Sequence, residues 1–392
     1  MNKSILNTEI QEFISEHLNA DVASILLKGT SFQNLETKDL IEQIEAKKRS
    51  QKKLPTWFKT ENIYYPNKLN IEQTSSEITA EYKSKLMDGH SIIDLTGGFG
   101  IDCFYFSKRF EVVVHYEINE ELSNIVSHNY GQLKVANIKT ISGDGIDYLK
   151  STKSLFDWIY IDPSRRHDTK GKVFFLKDCL PNIPEHVDTL FECSKNIMIK
   201  TSPLLDFSVG IDELKNVKSI HVVAVNNEVK ELLWILEKDY SGKITIETAN
   251  LKKGNNEHFS FIFEDEKGAV STYSEPLSYL YEPNSAILKS GGFHSVANQV
   301  GVFKFHPHSH LYTSEEFVDF PGRAFKVEQC LPYNKKELKK LGIEKANITT
   351  RNFPETVQQI RKKFKIKDGG STYLFFTTNA TDQKIILVTS KA

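Results

Sequence analysis

From residue 91 to residue 238 short β-branched runs alternate with amphipathic stretches. That alternation constrains the fold more than any other feature of the chain. SIIDL (91–95), EVVVHYEI (111–118), IKTIS (138–142), FDWIYID (156–162) and KNIMIKTS (195–202) read as strands with helical patterns between them. Such a repeat builds an α/β fold, a doubly wound sheet with helices on both faces. VKSIHVVAVN (217–226) and EVKELLWILEK (228–238) follow as a closing antiparallel hairpin, which predicts seven strands. KITIETANL (243–251) and EHFSFIFEDE (257–266) look like a further hairpin that extends or caps the sheet.

The flanking regions have a different texture. TEIQEFISEHL (8–18) puts Ile10, Phe13, Ile14 and Leu18 on one helical face, and residues 1–88 read as an N-terminal helical region. LPTWFKTENIYYPNKLN (54–70) reads as a connector, and EQTSSEITAEYKSKLM (72–87) as a capped helix. Residues 89–279 form the expected sheet-bearing domain, 280–330 a small α+β segment, and 331–392 a basic C-terminal domain.

Composition narrows the function classes. The apolar runs fall far short of the ~20 residues a membrane span needs. The N-terminus is charged and amphipathic, with no apolar core of a secretory signal. Cys103, Cys179, Cys193 and Cys330 are scattered, which predicts reduced thiols, a cytoplasmic location and no zinc ribbon. The net charge of −1 hides an asymmetry: residues 331–392 carry 13 Lys and Arg against 5 Asp and Glu. A segment near +8 on an acidic body suits a polyanion partner.

Ligands of doubly wound sheets bind at the carboxyl ends of the strands. The first strand ends at Asp94, followed by Gly97, Gly98 and Gly100. The second ends at Glu117, 23 residues after Asp94, which suits a ribose diol. Asp144 and Gly145 follow the third strand, where an acid suits the amine of an adenine; the fourth ends at Asp162. Asp94 discriminates between donors. A carboxylate before the glycine turn repels the pyrophosphate of a dinucleotide but attracts the ammonium and sulfonium of S-adenosylmethionine (SAM). SAM is therefore the expected cofactor, and NAD is disfavoured.

LPTWF, EQTSSEITAEYKS, IDLTGGFGID, YIDPSRR, IKTSPLLD, SHLYTSEEFVDFPGRAF and RNFPETVQQIRKKFKIKDGG span most of residues 55 to 392. As a set they resemble the class I SAM-dependent methyltransferases that carry a C-terminal THUMP-like domain. The resemblance implies a Rossmann-like catalytic domain, a ferredoxin-like segment around 280–330 and a THUMP-like end that contacts RNA, usually tRNA. It also implies that Asp94, Gly97, Gly98 and Gly100 line the methionine end of SAM. Glu117 would hold the ribose, Asp144 and Gly145 the adenine, and Asp162 and Pro163 would face the acceptor. Gln73, Ser76, Thr79 and Tyr82 are candidates to close the site, against a plain packing helix.

The acceptor is set by DPSRR (162–166). Enzymes that methylate an exocyclic amine usually show D/N-P-P-Y/F; here Ser164 and Arg165 replace the second proline and the aromatic. Arg165 and Arg166 suit a phosphate, or the acids nearby. The sequence predicts methylation of a tRNA or rRNA base, with Arg351, Arg361, Lys362, Lys363 and Lys365 gripping the backbone. A catalytically silent SAM- or RNA-binding factor, or a protein or small-molecule acceptor, are the alternatives. His306, His308 and His310 alternate in FHPHSHLY and would share one side of a strand, yet no carboxylate or Cys stands near, so no metal is expected. Trp57, Trp158 and Trp234 read as core.

Overall fold

The computed structural model describes residues 1–29, 32, 35–165 and 175–392, with Lys28 and Arg165 as backbone only. Arg166 therefore lies outside the described residues, as does the side chain of Arg165.

The expected strand–helix alternation begins at Ser91 and builds one large sheet. β1 (Ser91–Asp94), β2 (Val112–Glu117), β3 (Ile138–Ser142), β4 (Phe156–Ile161), β5 (Ser194–Thr201), β6 (Val217–Val225), β7 (Glu228–Glu237), β8 (Thr245–Leu251) and β9 (Glu257–Ile262) run in the order β9-β8-β6-β7-β5-β4-β1-β2-β3. β1 pairs in parallel with β2 and β4, β2 with β3, and β4 with β5. Strand order reverses between β1 and β4, which creates the crevice where such sheets bind ligands. The sheet has nine strands where the sequence predicts seven. The later hairpin extends it: β8 pairs in parallel with β6, and β9 antiparallel with β8. Ile246, Ala249 and Leu251 of β8 are buried, an apolar content that suits an interior strand.

The chain divides into two compact units, Met1–Lys218 with Leu233–Ser241, and Ser219–Leu232 with Gly242–Ala392. In the first, helices Thr8–Glu16 and Thr37–Lys53 bury Ile10, Ile14, Leu40, Ile41 and Ile44, the apolar stripe that the period predicts. The LPTWF segment is more than a connector. Pro55 opens a short helix, Pro55–Lys59, and Trp57 is fully buried. Trp158 and Trp234 are buried as well.

The second unit contains β10 (Tyr279–Pro283), β11 (Phe303–Lys304), β12 (Tyr312–Ser314), β13 (Gly322–Pro332), β14 (Asn347–Thr350), β15 (Tyr373–Thr378) and β16 (Lys384–Lys391). They form one sheet in the order β11-β12-β10-β13-β16-β15-β14. β13 is central, pairing with β10 on one side and β16 on the other, and residues 330 and 331 both lie within it. Leu280, Phe305, Phe325 and Phe375 pack in one core cluster, and Leu338, Ile360, Leu374 and Ile386 in another.

The three histidines do not share a strand face. They lie in the turn between β11 and β12, because Pro307 cannot continue a ladder and His310 has a φ of 49°. His306 bonds Asp382 at 2.9 Å, while His310 stacks on Phe293 at 3.6 Å. Among the described residues no group of three or more His, Cys, Asp or Glu could hold a metal ion. No helix among them is long and apolar enough to cross a membrane.

Candidate active site

β1 ends in a carboxyl group turned inward. Asp94 is 1% exposed, and its Oδ1 accepts the Thr96 N–H at 2.9 Å and the Thr96 hydroxyl at 3.3 Å. Its Oδ2 accepts the Cys103 thiol at 3.4 Å. Burial pushes the Asp94 carboxyl up to about 8; the Thr96 N–H opposes this, and the charges of Asp102 and Asp162 add to it.

The three glycines that follow have separate reasons to be glycine. A Cβ on Gly97 would stand 2.2 Å from Nε2 of buried His115. Gly100 has a φ of 78°, and a Cβ there would meet the Tyr130 hydroxyl at 2.3 Å. Both make room for the protein's own side chains. Gly98 differs: its φ is 54°, and a Cβ would meet nothing nearer than the Thr96 carbonyl at 3.7 Å. Its backbone faces open space. Gly145 is packed against Leu95, 2.8 Å from a would-be Cβ.

β2 delivers Glu117 to the same loop. Glu117 Oε2 accepts the Gly98 N–H at 2.9 Å, and Oε1 the Asn119 N–H at 2.8 Å. A carboxylate offers about four lone-pair sites, so two backbone bonds fix its position without exhausting it. Next to it Ile118 is 74% exposed, a large apolar side chain left uncovered beside an acid. Tyr116 stacks on Tyr148 at 4.9 Å. Asp144, after β3, caps the helix Gly145–Thr152 through the N–H groups of Ile146 and Asp147, at 2.8 and 3.2 Å.

At the end of β4 the Asp162 N–H donates to the Thr96 hydroxyl at 2.7 Å. Its carboxylate forms an ion pair with Lys200 of β5. The register explains the meeting: Ile161 lies opposite Ile199 in the parallel ladder, so the next residues of both strands emerge together. Lys200 is 12% exposed and Asp162 34%. Pro163 is buried and Ser164 exposed; Ser164–Arg165 pairs antiparallel with Cys179–Leu180. Cys103, Cys179 and Cys193 are buried thiols.

The segment before β1 supplies residues that sequence reasoning missed. Gln73 is exposed, and Ser76 caps the helix Glu77–Lys85 by accepting from Thr79 N–H. Their neighbours reach further. Fully buried Lys83 pairs with Asp102 at 3.1 Å and donates to Ser75 at 2.9 Å. The Ser75 and Tyr160 hydroxyls donate to the other Asp102 oxygen at 2.8 and 2.9 Å. Burial by itself would raise Asp102, but Lys83 and Lys200 outweigh it and hold the carboxyl below its ordinary range. Glu77 accepts the Thr56 N–H and hydroxyl and the Tyr105 hydroxyl, at 2.6, 2.7 and 2.8 Å. The only signal in the sequence was a lysine spaced three and four from Ala80 and Met87 on a helix's apolar side.

In the second unit the expected RNA contacts fall into two groups. Arg351 is tied to Glu282 at 2.7 Å, Arg361 to Asp368 and the Ala346 carbonyl, and Lys363 to Glu355 and Tyr333. Lys362 and Lys365 are exposed, and neither has an ionic partner among the described residues.

The strand order and the acids at the ends of β1 to β4 define a class I methyltransferase fold. Over all of this chain and 98% of its own, a Porphyromonas gingivalis W83 crystal structure provisionally described as a methyltransferase matches with a TM-score of 0.90 and 34% identity. The descriptions ferredoxin-like domain and THUMP domain-like fit residues 279–321 and 322–391. The chain belongs to the class I methyltransferase family with a C-terminal THUMP-like domain. Shorter likenesses reach an rRNA methylase from Streptococcus thermophilus, 14% identical over 41% of this chain and 94% of that one, with a TM-score of 0.31. TrmK from M. capricolum, solved with S-adenosylhomocysteine, is 16% identical over 42% of this chain and 70% of that one, with a TM-score of 0.32. No curated protein matches the sequence.

Proposed function

We propose that the chain is a SAM-dependent methyltransferase acting on RNA. The observation that carries the donor reading is the Glu117–Gly98 contact beside a glycine whose outer face is open. Glu117 would take the ribose hydroxyls, with exposed Ile118 against the adenine and Asp144 near its amine. Asp94 would have to turn its buried carboxyl away from Thr96 or Cys103 to meet the ammonium, and Gly98 would give the methionine end its closest approach. Gly97, Gly100 and Gly145 act by holding the loop. Gln73 and Ser76 would close over the donor. SAM supplies an activated methyl group; the protein's part is to align the acceptor and exclude water.

Asp162, Pro163, Ser164 and Arg165 form the acceptor side of this reading. The THUMP-like end and the exposed Lys362 and Lys365 support RNA as partner, gripped through phosphates. Arg351, Arg361 and Lys363 would have to exchange internal partners for phosphate. Four cysteines outside any disulfide fit a reducing, cytoplasmic setting. The test is transfer of a labelled methyl group from SAM to RNA. Incorporation abolished by Asp162→Ala, with SAM still bound, is the expected result. Labelling of protein instead of RNA would overturn the RNA half of the reading.

A further inference from the structure

Lys200 has no part in the reading above, yet it holds the best-placed acid of the acceptor side. The pair presents two complementary groups side by side at adjacent strand ends: a carboxylate, which only accepts hydrogen bonds, and an ammonium, which only donates them. Asp162 is the more exposed of the two, its carboxylate offers more lone pairs than one ion pair uses, and the Thr96 bond fixes its backbone.

Acceptor chemistries differ in what they ask of such a pair. An exocyclic base amine offers two N–H donors, and its lone pair is delocalised into the ring. It needs acceptors around it, and Lys200 supplies a donor. Its nitrogen also gains positive charge as it attacks, which a fixed ammonium disfavours. A bare ring nitrogen only accepts and gives Asp162 nothing to hold, and a ring N–H only donates and gives Lys200 nothing to hold. A hydroxyl is both donor and acceptor: its proton can go to Asp162 while its oxygen takes the Lys200 N–H. As the proton leaves, the charge growing on oxygen is negative, and the ammonium stabilises it.

We infer that Lys200 and Asp162 together select a hydroxyl oxygen as methyl acceptor, the 2′-hydroxyl of an RNA ribose. The inference rests on the RNA methyltransferase reading and replaces the base expected from sequence by the sugar. The 2′-hydroxyl is the hydroxyl that recurs at every internal RNA nucleotide. In the step, the O–H bond breaks and its proton passes to Asp162. The oxygen's electron pair forms the bond to the methyl carbon. The carbon–sulfur bond breaks with its pair going to sulfur, so the sulfonium becomes a neutral thioether. Asp162 returns its proton to solvent, and Lys200 stays charged throughout.

The experiment uses the full chain, labelled SAM and total RNA from cells lacking this gene. The RNA is digested with alkali, which cannot cleave beside a 2′-O-methyl group. Label in alkali-resistant dinucleotides is the expected result. Lys200→Met should lower turnover by about 100-fold or more, with SAM affinity by calorimetry close to wild type, and Lys200→Arg, which keeps the charge, should recover part of the loss. Label on base-methylated mononucleotides would overturn the hydroxyl assignment and leave the RNA reading standing. SAM binding with no label in RNA would overturn both. Lys200→Met at wild-type turnover would remove the lysine from the step.

Discussion

The Thr96 hydroxyl accepts the backbone N–H of Asp162 at 2.7 Å and donates to Asp94 at 3.3 Å. One side chain thus ties the end of β1, where the donor's charge would lie, to the end of β4, where the acceptor would lie. Thr96→Val keeps the shape and removes both bonds. Leaving a part-buried N–H unpaired costs up to about 1–3 kcal/mol. Turnover should fall by tenfold or more while SAM affinity changes by only a few fold, as separate titration and single-turnover experiments can resolve.

Asp94 makes both stability and donor binding depend on pH. Its folded carboxyl titrates near 8 and its unfolded one near the ordinary 3.8. The folded chain therefore holds an extra proton between these values. That stabilisation is full below pH 4 and is lost as pH rises through 8, at up to about 1.4 kcal/mol per unit. Asp94→Asn should flatten this slope in chemical denaturation from pH 5 to 9. A cationic donor favours the carboxylate, so SAM binding below pH 8 should release a proton, read as a buffer-dependent heat in calorimetry.

Lys83 and Asp102 form a buried pair with the helix before β1. Lys83→Met removes the cation paired with the buried Asp102 carboxylate and should destabilise the chain by about 3–5 kcal/mol. Adding Asp102→Asn to that variant should restore part of the loss, measured by urea unfolding. Equal destabilisation in the double variant would mean that the carboxylate charge is not what makes the loss.

Gly97 and Gly98 are neighbours with opposite expectations. Gly97→Ala drives a methyl group into His115 and should lower the melting temperature sharply. Gly98→Ala meets open space and carries only the cost of its positive φ, about 1 kcal/mol. Its larger effect should be on SAM affinity.

Lys362→Glu with Lys365→Glu should weaken RNA binding. The salt dependence should fall by about one unit of slope for each phosphate that is no longer neutralised. Reversal at Arg361 should cost more stability, because its guanidinium also holds the Ala346 carbonyl. Filter binding at several salt concentrations and thermal melts separate the two effects.

The parallel core is legible in the sequence because β-branched runs ending in acids are a local signal. Asp94, Glu117 and Asp162 can be placed at strand ends without a structure. The roles of the glycines are not legible: whether a Cβ meets His115, Tyr130 or open space depends on side chains remote in sequence. Lys200 and Lys83 escape for the same reason. A lysine in IKTSP or AEYKS looks like surface until register brings Lys200 beside Asp162 and packing brings Lys83 onto Asp102. The histidines of FHPHSHLY mislead because their alternation reads as a strand, whereas Pro307 makes a turn.

The donor site is the central claim, and calorimetric titration of the full chain with SAM tests it most directly. Binding should occur in the wild type and be lost in Glu117→Ala, with the variant's melting temperature little changed. Absence of SAM binding by the wild type, both alone and with RNA present, would contradict the account.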